Sequence, residues 1–122
     1  MSKYKSKSFF DSFKNALRGI RLLWKSEKNF RTHSLIALLV LVLAGFVGFG
    51  AEEIAILVMM IGIVLICEMI NSAIEYTLDA VYKNKYSKLV GMAKDIAAGA
   101  VTLSAFTSIV VGVLMFVNQI FD

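Results

Sequence analysis

The chain has 122 residues with a net charge of +4, and 58% of its residues are hydrophobic while 18% are charged. This composition excludes an ordinary soluble domain, because a soluble chain so short has too much surface for its volume to bury that much apolar area. It predicts a membrane protein, and we interpret the positive charge as membrane topology and contact with anionic lipid rather than nucleic-acid binding.

The first predicted element is a basic amphipathic helix over residues 8–31. Apolar side chains recur along it at helical spacing: Phe9, Phe10, Phe13, Leu17, Ile20 and Trp24. Basic residues occupy the other faces, a pattern that favours a helix lying in the membrane interface. A simple basic anchor is the alternative, but the acidic Glu27 among these bases argues against it.

Three apolar segments then predict three transmembrane helices, over residues 34–51, 54–80 and 93–121. The first two are joined only by a short link near Gly50, so we expect a tight hairpin. The predicted fold is therefore a single all-α integral membrane domain over residues 1–122, with one interfacial helix and three spans.

The distribution of basic residues predicts the orientation of these spans. All 13 Lys and Arg residues lie before residue 34 or between residues 83 and 94. By the positive-inside rule, the N-terminus and the second loop are cytoplasmic and the C-terminus is extracellular.

The second span carries a line of polar side chains. Glu68, Asn71, Glu75 and Asp79 are spaced 3, 4 and 4 residues apart, which places them within an arc of roughly 80° on one helix face. Glu68 lies about 21 Å along a hydrocarbon core about 30 Å thick, and charged residues at such depth usually mark function. Two carboxylates with an amide between them favour Mg²⁺, or a carboxylate base beside it.

Two other polar residues allow alternative interpretations. Lys94 is predicted at the start of the third span, where it can hold phosphate beside the positive end of the helix or simply extend to the interface. His33 has no Cys or other His as a partner, so we interpret it as a polar boundary residue rather than a zinc ligand.

Three blocks of sequence bring these residues together in one pattern. The first covers residues 24–31 (WKSEKNFR), the second residues 68–75 (EMINSAIE) followed by Asp79, and the third residues 93–101 (AKDIAAGAV). From about Phe13 to Val117 the chain resembles the bacterial diacylglycerol kinase and undecaprenol kinase family of small membrane enzymes.

The resemblance implies an ATP-dependent lipid kinase of the bacterial plasma membrane, a homotrimer whose sites lie between subunits. It implies that Glu68 is the general base, and that Glu27 and Glu75 hold Mg²⁺ on ATP. The positions expected to bind the nucleotide are Glu27, Asn71, Glu75, Asp79, Lys85, Tyr86, Ser87, Lys94 and Asp95. Trp24 and Arg21 are expected to contact the lipid together with Glu68.

The third block resembles the Gram-positive branch of this family, which favours undecaprenol as the substrate over diacylglycerol. Two other classes of function stay open on the residues alone. A small proton-coupled transporter also depends on a glutamate within the membrane, and a non-catalytic scaffold can use acidic residues for helix association.

Overall fold

The computed structural model describes residues 8–83, 85 and 87–122. These form four helices: α1 (Phe9–Ser26), α2 (Lys28–Phe46), α3 (Ala51–Tyr82) and α4 (Lys88–Phe121). The last three are long and apolar enough to cross a membrane. The predicted all-α membrane fold, with an amphipathic helix followed by three apolar ones, is confirmed.

The apolar side of α1 has no protein partner in a single chain. Its six apolar side chains are each between 40% and 87% exposed: Phe9, Phe10, Phe13, Leu17, Ile20 and Trp24. Only Leu23 of this helix is buried. Because an exposed apolar stripe is costly in water, this surface requires lipid or another chain to cover it.

A break at Glu27 divides the predicted helix of residues 8–31. Glu27 has extended backbone angles (φ −114°, ψ 110°), so α1 ends directly before it and α2 begins directly after it. The guanidinium of Arg31 donates hydrogen bonds to the carbonyl groups of Trp24 and Lys25, at 2.8 and 3.0 Å. These bonds satisfy carbonyl groups that the end of α1 leaves free.

The link between α2 and α3 is a tight turn, as expected. Gly48 has a φ of 87°, which only glycine adopts readily and which ends α2 before the predicted boundary at residue 51. The side-chain amide of Gln119 donates to the carbonyl of Val47 at 2.9 Å. The Glu53 carboxylate accepts from the backbone N–H of Gly50 at 2.8 Å and caps the start of α3.

The main helix pair is α3 packed against α4. Buried residues of α4 recur every seven positions, and those of α3 follow a similar spacing: Leu57, Val64, Glu68 and Ser72 on α3, and Val90, Ala97 and Ser104 on α4. The hydroxyl of Ser108 also donates to the carbonyl of Met60 at 3.3 Å. This spacing is typical of two long helices crossing at a small angle. Glu68 therefore lies in the buried stripe of α3.

An apolar groove of about 510 Å³ lies between α2, α3 and α4. Its lining runs from His33 near the start of α2 to Leu43 near its end, and it includes Ile61 of α3 and Phe116 of α4. The groove thus extends along most of the length of α2, and His33 lines the end of the groove nearest the start of that helix.

Candidate active site

The polar line of α3 lies on one unbroken helix. Glu68 is 6% exposed, whereas Asn71, Glu75 and Asp79 are half-buried. Because α3 continues to Tyr82, all four residues keep the helical spacing that places them on one face. Glu68 is therefore the most buried carboxylate of this line, and the others follow it toward the C-terminal end of α3.

Glu68 contacts His33 of α2. His33 Nδ1 lies 2.8 Å from Glu68 Oε1. Within the described part of the chain, His33 Nδ1 makes no hydrogen bond of regular geometry. The contact becomes an ion pair when the imidazole is protonated. Glu68 Oε2 and Asn71 Oδ1 are buried and have no hydrogen-bond partner among the described residues. The sequence did not predict this contact, because only Cys and other His residues were considered as partners of His33.

A second contact ties the α1–α2 junction to α3. The hydroxyl of Tyr76 donates to Glu27 Oε1 at 2.7 Å and lies 3.2 Å from the hydroxyl of Ser26. Tyr76 directly follows Glu75 in the sequence, so this bond brings Glu27 to the part of α3 that carries Glu75. Tyr76 was not among the predicted site residues, although its position beside Glu75 was a usable signal.

Four of the predicted nucleotide-binding residues line one small cavity between α3 and α4. The cavity has a volume of about 210 Å³, and its lining is Leu78, Asp79, Tyr82, Lys85, Ser87, Val90, Gly91 and Lys94. Lys94 Nζ donates to Asp79 Oδ1 at 2.7 Å. Tyr82 and Gly91 were not predicted here, and the predicted Tyr86 lies outside the described residues.

The predicted position of Lys94 at the start of a helix is wrong. Helix α4 begins at Lys88, so Lys94 lies at the end of its second turn. The positive end of a helix acts mainly within the first turn. The carboxylate of Asp79 therefore holds the Lys94 side chain. Lys94 can attract a phosphate group through its own positive charge, without help from the end of the helix.

Three other predicted site residues, Arg21, Trp24 and Asp95, have exposed side chains. Arg21 and Trp24 lie in the last two turns of α1, and Asp95 follows Lys94 on α4. None of the three lines the cavity between α3 and α4.

The described residues of one chain do not form a complete metal site on their own, since no three Asp, Glu, His or Cys side chains among them converge. Mg²⁺ bound to a nucleotide needs only one or two carboxylates, because phosphate oxygens and water complete its octahedral shell. Glu27 and Glu75, which the Tyr76 contact brings to the same part of the chain, fit that requirement.

Comparison with known proteins identifies the family of the chain. Residues 14–116 match the family model described as prokaryotic diacylglycerol kinase. The chain is 38% identical to an undecaprenol kinase of Bacillus subtilis over 112 residues, which are 92% of this chain and 90% of that protein.

Two further relatives are diacylglycerol kinases. One, from Synechocystis sp., is 34% identical over 101 residues, which are 83% of this chain and 58% of that protein. The other, from Escherichia coli, is 31% identical over 93 residues, which are 76% of this chain and 75% of that protein. The resemblance seen in the three sequence blocks is confirmed: the chain belongs to the prokaryotic diacylglycerol kinase family of membrane lipid kinases.

Proposed function

We propose that this protein transfers the γ-phosphoryl group of ATP to the hydroxyl group of undecaprenol at the cytoplasmic side of the bacterial plasma membrane. The observation that carries the proposal is Glu68, a buried carboxylate whose Oε2 has no hydrogen-bond partner among the described residues. The similarity to the undecaprenol kinase of Bacillus subtilis supports undecaprenol as the acceptor. Diacylglycerol, which the names of other relatives specify, is the alternative.

Glu68 acts as the general base in this proposal. Its free Oε2 accepts the proton of the lipid hydroxyl as the hydroxyl oxygen attacks the γ-phosphorus of ATP. A new oxygen–phosphorus bond forms while the bond from the γ-phosphorus to the bridging oxygen breaks, and ADP leaves. Phosphoryl transfer depends mainly on positioning and charge neutralisation, so a few fixed side chains are sufficient for it.

The nucleotide is held by residues at the inner ends of the helices. Glu27 and Glu75 hold Mg²⁺, which when bound neutralises charge on the phosphate groups. Lys94 contacts the phosphates, and Asp79 keeps its ammonium group in place through the 2.7 Å hydrogen bond. The remaining proposed nucleotide contacts are Asn71, Lys85, Tyr86, Ser87 and Asp95.

The Tyr76 hydroxyl positions Glu27 for this task. Tyr76→Phe removes the bond to Glu27 Oε1, and we expect the KM for MgATP to rise about 2- to 10-fold, which corresponds to the net value of one hydrogen bond. The effect is modest because Tyr76 is 45% exposed and water can replace its hydroxyl. Steady-state kinetics at saturating lipid measure it.

The matched control for Tyr76→Phe is Thr77→Val. Among the described residues, the Thr77 hydroxyl donates only to the carbonyl of Ala73 within the same helix, at 2.7 Å, so its loss should leave the KM for MgATP unchanged. An unchanged KM in Tyr76→Phe as well would show that the bond to Glu27 has no part in nucleotide binding.

The lipid lies with its chain in the membrane and its hydroxyl at the inner interface. Arg21 and Trp24, exposed on the last turns of α1, contact it there together with Glu68. The basic residues before the first span and between the second and third spans support a cytoplasmic N-terminus and an extracellular C-terminus. In this orientation ATP reaches the inner ends of α3 and α4 from the cytoplasm.

The working assembly is a homotrimer with its sites between subunits. This part of the proposal is supported by the open surfaces of a single chain, whose apolar α1 stripe and central groove are uncovered. It is also supported by the small number of metal ligands proposed in one chain, which are Glu27 and Glu75. A neighbouring subunit can bring further groups to the nucleotide.

A lipid phosphorylation assay tests the proposal directly. Purified protein in lipid nanodiscs is given γ-labelled ATP and Mg²⁺ with undecaprenol or with diacylglycerol, and the label in the lipid fraction is counted. We expect label in undecaprenol, with a higher kcat/KM than for diacylglycerol. A preference for diacylglycerol would overturn the substrate. Label in neither lipid would overturn the kinase proposal, and flux driven by a pH gradient would then favour the transporter.

A further inference from the structure

His33 and Glu68 come from different helices and meet at a buried position. The imidazole Nδ1 lies 2.8 Å from Glu68 Oε1, and the two side chains are 33% and 7% exposed. His33 lies early in α2, within two turns of the break at Glu27, and it also lines the inner end of the apolar groove. It therefore lies between the groove and the carboxylate.

The two oxygens of the Glu68 carboxylate have different surroundings. Oε1 faces His33, while Oε2 is buried without a hydrogen-bond partner in the described part of the chain. A glutamate side chain has several accessible rotamers, and an ion pair made through one oxygen selects among them. Since buried carboxylates are normally paired or hydrogen-bonded, an unpartnered oxygen beside a paired one indicates a group held ready for a ligand.

We infer that His33 is a positioning residue for Glu68, which it holds through Oε1 so that Oε2 is presented to the acceptor hydroxyl. The inference rests on the proposed role of Glu68 as the base. His33 itself touches neither the nucleotide nor the reacting atoms in this scheme. Its removal leaves the carboxylate in place but frees its rotamers, so the chemical step should slow while nucleotide binding is unaffected.

The expected result for His33→Ala is a fall in kcat of up to about 100-fold, the size of effect that misplacing a reactive group by about 1 Å can have. The KM for MgATP should stay at its wild-type value. Added imidazole should restore part of the kcat, because the open groove beside residue 33 leaves room for the free base. His33→Gln, which keeps a polar side chain of similar length, should lose less activity than His33→Ala.

Two comparisons separate positioning from a merely structural contact. Thr32→Val, an exposed neighbour on α2, should leave kcat unchanged. In a Glu68→Gln background, His33→Ala should cause little further loss, because residues that act through one another are not additive. Unchanged kcat in His33→Ala would overturn the inference. A loss of kcat that imidazole does not restore, together with loss of assembly in size-exclusion chromatography, would assign His33 to packing and also overturn it.

Infrared difference spectroscopy gives a readout that does not depend on activity. The carboxylate band that Glu68→Gln removes should shift in His33→Ala and stay in place in Thr32→Val. If wild-type protein phosphorylates neither lipid, the proposed function fails, while this band still shows whether His33 holds Glu68. A band that is identical in wild type and His33→Ala would show that it does not.

Discussion

Glu68→Gln should lower the kcat for lipid phosphorylation by about 10²- to 10⁴-fold, the usual contribution of a positioned general base. The amide has nearly the shape of the carboxylate but cannot accept the proton of the lipid hydroxyl at neutral pH. The protein should still insert and assemble, because an uncharged side chain at this buried position on α3 is easier to accommodate in a membrane than a charged one. Initial rates with labelled ATP and saturating undecaprenol measure the effect.

The control for this prediction is Glu52→Gln. Glu52 is an exposed carboxylate in the first turn of α3, at the opposite end of the helix from Asp79. Its replacement removes the same charge from the same helix without changing the polar line of Glu68, Asn71, Glu75 and Asp79, so kcat should not change. Near-normal activity in Glu68→Gln, with normal assembly, would remove Glu68 as the base and with it the main support for our mechanism.

Glu27→Gln and Glu75→Gln should each raise the Mg²⁺ concentration needed for half-maximal activity. Loss of an outer-shell partner of a bound metal typically costs about 10- to 100-fold in affinity, and loss of a direct ligand should cost at least as much. Glutamine at position 27 can still accept the hydrogen bond of Tyr76, so the α1–α2 junction should keep its structure. The measurement is a Mg²⁺ titration at fixed total ATP and saturating lipid.

The same titration distinguishes metal binding from a general loss of function. Both variants should recover much of their kcat at high Mg²⁺, whereas Glu68→Gln should stay slow at every concentration. Glu52→Gln again serves as the control for loss of a carboxylate. Wild-type Mg²⁺ dependence in both Glu27→Gln and Glu75→Gln would show that the metal assignment is wrong.

The membrane class, the number of helices and the polar face of α3 were all predictable from the sequence. Apolar length decides whether a segment can cross a bilayer, and helical periodicity decides which residues share a face. Both are properties of a continuous segment and need no knowledge of its neighbours. The sequence therefore predicted correctly that the residues from Glu68 to Asp79 share one helix face. It also predicted the family to which the chain belongs.

The contacts that complete this face were decided only by the tertiary structure. The register of α2 and α4 against α3 brings His33 to Glu68, Tyr76 to Glu27 and Lys94 to Asp79. The last pair is 15 residues apart, and the intervening turn with its change of helix direction is not a periodic feature. A local pattern can say which side chains share one helix face, but the packing of separate helices determines which of them meet.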